Sequence, residues 1–166
     1  MTISDATATG IRKLFLQPRD TYSISDAAAL LGMEWRDVRA WMEAGELEGV
    51  DTDQGLELPW AELVSFGMDF WSQEAVEEAL GTELAEAIPE LLRLTDLEVR
   101  IPRMTVVALE RVAARERQSV SAVLGRELRD FVSVHSEWLS AEVPGFAPAL
   151  EWPEAGERQL RRQLPS

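Results

Sequence analysis

Few residues in this chain have types and spacing that could do chemistry. From Leu97 to Pro102 the order LEVRIP alternates apolar Leu97, Val99 and Ile101 with charged Glu98 and Arg100, and Arg103 follows. Period-two alternation closed by a proline predicts a short, half-buried strand with its charged side chains on one face. Groups of this kind recognise rather than react: a guanidinium donates hydrogen bonds to guanine or phosphate, and a carboxylate accepts from cytosine. A strand this short cannot satisfy its own backbone hydrogen bonds. Antiparallel pairing with the same strand of a second copy would do so, and a two-stranded ribbon fits the DNA major groove.

Other chemistry is poorly supplied. His135 is the only histidine and there is no cysteine, so no nucleophile with its base, no zinc spacing and no phosphate loop can be assembled. A lone histidine near a helix end reads as a solvated cap or a packing residue. The DTDQGLE run offers Asp51 and Asp53 as oxygen ligands, but it lacks the third ligand and the spacing to a bidentate glutamate that a calcium loop requires. No enzyme, no metal, no cofactor and no small-molecule substrate is expected.

The elements that must position Arg100 lie on its C-terminal side. Pro102 starts a helix whose stripe is Val106, Leu109, Val112 and Ala113; Ser119 and Ser121 offer a cap for the next, with Val120, Val123, Leu124, Leu128, Phe131 and Val132 on one face. The second helix is expected to run on toward His135 and Leu139. Two such helices bury too little to fold alone, so the expected dimer core is Leu97, Val99, Ile101, Leu109, Val123, Leu124, Leu128 and Phe131, shared between two copies.

Residues 97–132 resemble the ribbon-helix-helix family of bacterial repressors and antitoxins, through the strand LEVRIP, the helix after it and the SVS turn. The likeness covers about a quarter of the chain. It implies that Glu98 and Arg100, with Arg103 beside them, read base edges of operator DNA in the major groove. It also implies that the backbone from Ser119 through Ser121 to Ala122 clamps a phosphate. Two departures stand out: Arg117 where many members have glycine, and the acid Glu98 at an outward strand position.

Upstream, residues 22–66 predict a helix from Ser25 to Leu31, a turn at Gly32, and a helix from Glu34 to Ala44 stopped by Gly45. A hairpin around DTDQG and a helix opened by Pro59 follow. This stretch resembles the excisionase and MerR-like winged helix-turn-helix, in SISDAAALLGM, the AGEL step and the wing. In that family the second helix and the wing face DNA and are usually basic. Here the second helix sets Glu34, Asp37 and Glu43 against Arg36 and Arg39, the wing carries Asp51, Asp53 and Glu57 with no base, and each carboxylate repels phosphate. Arg36 and Arg39 are therefore expected as weaker DNA contacts, with protein contact or dimer geometry the main use.

Residues 67–96 read as a helical connector packed on that module, with a Ser72-capped helix to Leu80 and a Thr82-capped helix bent at Pro89. Residues 1–21 read as an arm whose first ten are disordered. The Pro-containing tail, 140–166, is expected either to stay flexible, to pack on its own domain, or to anchor in a partner through Phe146, Leu150 and Trp152. Residues 97–139 form the ribbon-helix-helix module.

The formal net charge of the whole is −14, unfavourable for nucleic acid. Residues 97–136 differ, with seven arginines against five carboxylates. A less acidic reading head on an acidic body suggests a body that faces a basic protein. The expected fold is mainly α: an N-terminal winged helix-turn-helix module, the connector, and a C-terminal ribbon-helix-helix that dimerises through an intermolecular antiparallel ribbon. The expected function is a homodimeric, DNA-binding antitoxin that represses its own operon and neutralises a basic toxin, for which a ribonuclease would suit. A transcription factor without a toxin, and an interaction adaptor without DNA binding, are the alternatives. No membrane span or signal peptide is apparent, and a cytoplasmic location is expected.

Overall fold

Ser4 accepts a hydrogen bond from the Thr7 amide at 3.1 Å and starts helix α1 (Asp5–Leu16). Ile11, Leu14 and Phe15 fall on one side of it at spacings of three and four, and all three are buried. The computed structural model describes residues 3–154 and Gly156. The chain divides into two units: one holds everything up to Leu94 and the return from Pro148, and the other is Thr95–Ala147.

In the first unit, β1 (Thr21–Ser23) leads into α2 (Ile24–Leu31), whose cap is Ser23, accepting from the Asp26 amide at 3.1 Å. The cap thus sits two residues before the expected Ser25. Gly32 ends α2 in the left-handed conformation, φ +70°. Helix α3 (Trp35–Glu43) follows, its start fastened by the Glu34 amide donating to the Asp37 carboxylate at 3.3 Å. The hairpin β2 (Val50–Thr52) and β3 (Gly55–Pro59) turns over Asp53 and Gln54. β3 lies between β1 and β2, antiparallel to both, with Tyr22 opposite Leu58 and Asp51 opposite Leu56. Tyr22 and Leu58 are both buried, so this pair joins the sheet to the core.

Helix α4 (Trp60–Trp71) brings Trp60, Leu63 and Val64 inward, and Ser72 caps α5 (Gln73–Leu80). A 3-10 turn and the four-residue α6 (Leu84–Ala87) lead to Ile88, which is extended, and Pro89. Pro89 breaks the expected longer helix instead of bending it, since it has no N–H to donate. The segment beyond is held on α5 by polar contacts: Gln73 donates to the Leu92 carbonyl, and the Leu94 amide donates to Glu77 at 2.7 Å. Near the C-terminus, Trp152 packs against Phe15 and Trp60, with ring centroids 6.3 and 6.4 Å away.

The second unit is a helical hairpin, α7 (Arg103–Glu116) and α8 (Val120–Val134), followed by α9 (Ser136–Glu142). Helix α10 (Phe146–Leu150) follows α9 in sequence. Only Ala113 and Val123 are buried within the hairpin.

The fold is mainly helical, but two parts of the expected fold class are corrected. Residues 97–101 belong to no strand, and no ribbon-helix-helix ribbon is formed. The physical reason is that a solitary strand has no ladder partner within its own chain. The one sheet among the described residues is open, three-stranded and confined to the first unit. The winged helix-turn-helix description is corrected with it. The β2–β3 hairpin is not a free wing, because β1, which precedes the helix pair, pairs with β3. The core of that region also takes in α1 and α5, outside the expected 22–66. The expected disorder of residues 1–10 is overturned from Asp5 onward, because α1 buries three side chains; residues 1 and 2 lie outside the described residues, as do 155 and 157–166 of the tail. No described helix is long and apolar enough to cross a membrane.

Candidate nucleic-acid and partner interfaces

Three groups of side chains were expected to act. The first is Glu98, Arg100 and Arg103. All three are exposed: Glu98 and Arg100 lie in the segment without regular structure that precedes α7, and Arg103 is the first residue of that helix. Ser119 spends its hydroxyl on the Ala122 amide at 3.0 Å, capping α8 from within. Ser121 is exposed in the first turn of the same helix. A fifteen-residue helix leaves its first amides without intrahelical acceptors and carries a positive N-terminal end. Arg117 precedes this end in the left-handed conformation, φ 56° and ψ 37°.

The hairpin is also tied by charge. Arg126 on α8 reaches Glu116 on α7 at 2.7 Å and its neighbour Glu127 at 3.3 Å. The hydrogen bond from Arg126 holds the Glu116 carboxyl below the usual carboxylate range. Both groups are open to water, so this bridge orients the helices more than it stabilises them.

The second group, Arg36 and Arg39, is already engaged on α3. Arg36 lies over the Trp35 ring at 5.6 Å, and Arg39 pairs with Glu43 at 3.1 Å. Phosphate contact by either would compete with these partners and with the carboxylates around them.

The third group is apolar. Of the expected dimer core, Val123 is buried and Leu109 partly so, within one copy. Leu97, Val99, Ile101, Leu124, Leu128 and Phe131 remain exposed, Phe131 to 59%. In the tail, Trp152 is taken up by its own unit, Phe146 is half-buried, and Leu150 is exposed. His135 is exposed and its ring lies 4.5 Å from that of Phe131. Among the described residues, no group of three or more histidines and carboxylates is placed to hold a metal ion.

Sequence reasoning missed one feature, a groove of about 850 Å³ between α3 and the β2–β3 hairpin. Trp35 and Leu56 form half-exposed walls, Leu47 is buried in its floor, and Glu43 and Glu48 stand on its rim. The available signal was the set of large apolar residues, Trp35 and Leu56, at positions where a solvated helix and hairpin carry polar ones. No protein-family model matches the chain, no curated protein matches its sequence significantly, and no solved structure matches its fold significantly.

Proposed function

We propose that the protein is a dimeric DNA-binding regulator of the antitoxin type, which represses its own operon and holds a basic partner protein on its acidic unit. The observation that carries the reading is the α7–α8 hairpin. Leu124, Leu128 and Phe131 recur along α8 at helical spacing and stay exposed, which is costly in water for a unit with so little interior. A second copy of the same face is the simplest cover, and a two-fold dimer then presents Arg100 and Arg103 twice. The excess of arginine over carboxylate in residues 97–136 supports DNA contact there. The ten carboxylates of residues 22–66 support a basic protein partner on the other unit. This reading does not require residues 97–101 to form a strand.

The test has two arms. Sedimentation should give a dimer for the parent and a monomer for Leu128→Asp plus Phe131→Asp. Binding to the DNA upstream of its own gene should fall steeply with salt and weaken at least tenfold in Arg100→Ala plus Arg103→Ala. A monomeric parent would remove the dimer. Salt-insensitive binding, or none, would leave the chain as an adaptor that contacts proteins only.

A further inference from the structure

We propose that the groove between α3 and the β2–β3 hairpin is a docking site for a basic, amphipathic helix of a partner protein. The inference deepens the partner half of the reading above by naming the surface that receives the partner.

Three properties of the groove define the occupant. Its walls and floor are apolar: Trp35 and Met42 come from α3, Leu47 from the loop beyond it, and Leu56 from β3. At about 850 Å³ it accommodates several side chains, in the range of sites that bury most of a small ligand. A ridge of residues at i, i+3, i+4 and i+7 is the shape that fills an open apolar groove of this kind. A Cβ on Gly49 would stand 2.8 Å from the ends of the Leu56 and Met42 side chains, so the loop backbone at Gly49 lies close against both. The loop carrying Glu48 is held by its amide, which donates to the Glu62 carboxylate at 2.9 Å.

Charge then decides between protein and nucleic acid. Arg39 is paired with Glu43, which leaves Glu48 as the rim carboxylate without a cation among the lining residues, and Glu34, Asp37, Glu46, Asp51 and Asp53 are exposed on the same helix, loop and hairpin. A phosphate backbone would be repelled along the whole surface. Lysines and arginines flanking an apolar ridge would be attracted, raising the encounter rate as well as the affinity. The groove therefore selects a cationic segment with apolar anchors over a neutral one.

The probe is a fluorescein-labelled sixteen-residue peptide of leucine and lysine, with leucine at helical i, i+3, i+4 spacing, titrated with the full chain and read by anisotropy. Its controls are the same design with glutamate for lysine and a labelled DNA duplex. The lysine peptide should bind at least tenfold more tightly than the glutamate peptide. Leu56→Asp should weaken it tenfold or more, and Glu48→Lys at least threefold, while Glu78→Lys on α5, outside the groove, should leave it within twofold. Circular dichroism checks that Leu56→Asp folds; if it does not, Glu48→Lys against Glu78→Lys decides alone. Equal losses from Glu48→Lys and Glu78→Lys would mean general charge attraction and overturn the site. Full binding in folded Leu56→Asp would do the same, as would competition between duplex and peptide for this face. Because the readout is peptide binding, failure at operator DNA leaves the groove standing, and failure here leaves DNA binding standing.

Discussion

The indole Nε1 of Trp60 donates a buried hydrogen bond of 2.8 Å to the carbonyl of Leu14. The bond answers a local need. Leu14 lies in the last turn of α1, and the residue four positions on is Pro18, which has no N–H to offer. Trp60 on α4 therefore closes a helix end on α1 while filling the core beside Trp152. Trp60→Phe should lower unfolding free energy by about 1–3 kcal/mol, the usual loss when a buried acceptor is left unsatisfied. Urea unfolding followed by circular dichroism measures it. A change below about 0.5 kcal/mol would show that water reaches the Leu14 carbonyl.

Gly10 and the backbone of Leu30 set how closely α1 and α2 approach. A Cβ at position 10 would lie 2.1 Å from the Leu30 carbonyl oxygen, and the obstacle is backbone, which cannot swing aside. Alanine would gain roughly 1 kcal/mol of helix propensity, but forced separation of packed helices costs about 1–3 kcal/mol. The net effect of Gly10→Ala should be destabilisation, seen as a fall in Tm. A rise in Tm would mean the two helices separate without loss.

Tyr22 links stability to alkaline pH. Burial pushes its hydroxyl above the ordinary phenol value, while the Arg19 amide donating to it at 2.9 Å pulls the other way. A raised folded-state pKa means the folded chain holds this proton more tightly than the unfolded chain. The stabilisation is complete below the unfolded value of about 10 and is lost as pH rises from there through the higher folded value. Tyr22 is the only tyrosine, so phenolate absorbance titrates it directly. The native titration should lie above that of the urea-unfolded chain, and Tyr22→Phe should flatten the alkaline fall of the urea midpoint. Coincident native and unfolded titrations would count against the buried hydroxyl.

Local signals in the sequence carried further than pairing signals. The turn at Gly32, the DTDQG hairpin, the Ser72 and Ser119 caps and the helix after Pro102 all follow from backbone preferences of a few adjacent residues, and they appear where those preferences place them. The strand expected at LEVRIP depended on a partner, and alternation alone cannot supply one. Conversely, β1 has only three residues and exists through its pairing with β3, 36 positions away, so no window along the chain reveals it. Helix α1 was not read from the sequence: Ile11, Leu14 and Phe15 form a short apolar cluster near a terminus, a weak signal beside Thr-rich sequence. The candidate sites divide likewise. The arginines were legible as charges, whereas the groove arises from Trp35, Leu47 and Leu56, which only the folded chain brings together.

Arg117 allows conformation and charge to be separated at the start of α8. Its φ of 56° places a residue with a Cβ in the left-handed region, where its own amide and that of Gln118 both donate to the Ala113 carbonyl to end α7. For a residue other than glycine this conformation costs roughly 1–2 kcal/mol. Arg117→Gly should therefore stabilise the hairpin by about 0.5–1 kcal/mol, after allowing for the greater freedom of glycine in the unfolded chain. Arg117→Ala keeps the strain and removes the same charge, so its stability should stay near that of the parent. Urea midpoints of the three proteins give the conformational part. On the proposed DNA-binding reading, affinity for the upstream DNA gives the other part: if Arg117 contributes through charge alone, both variants should weaken binding equally and reduce its salt dependence. Unequal losses, with glycine closer to the parent, would point instead to the shape of the turn before α8.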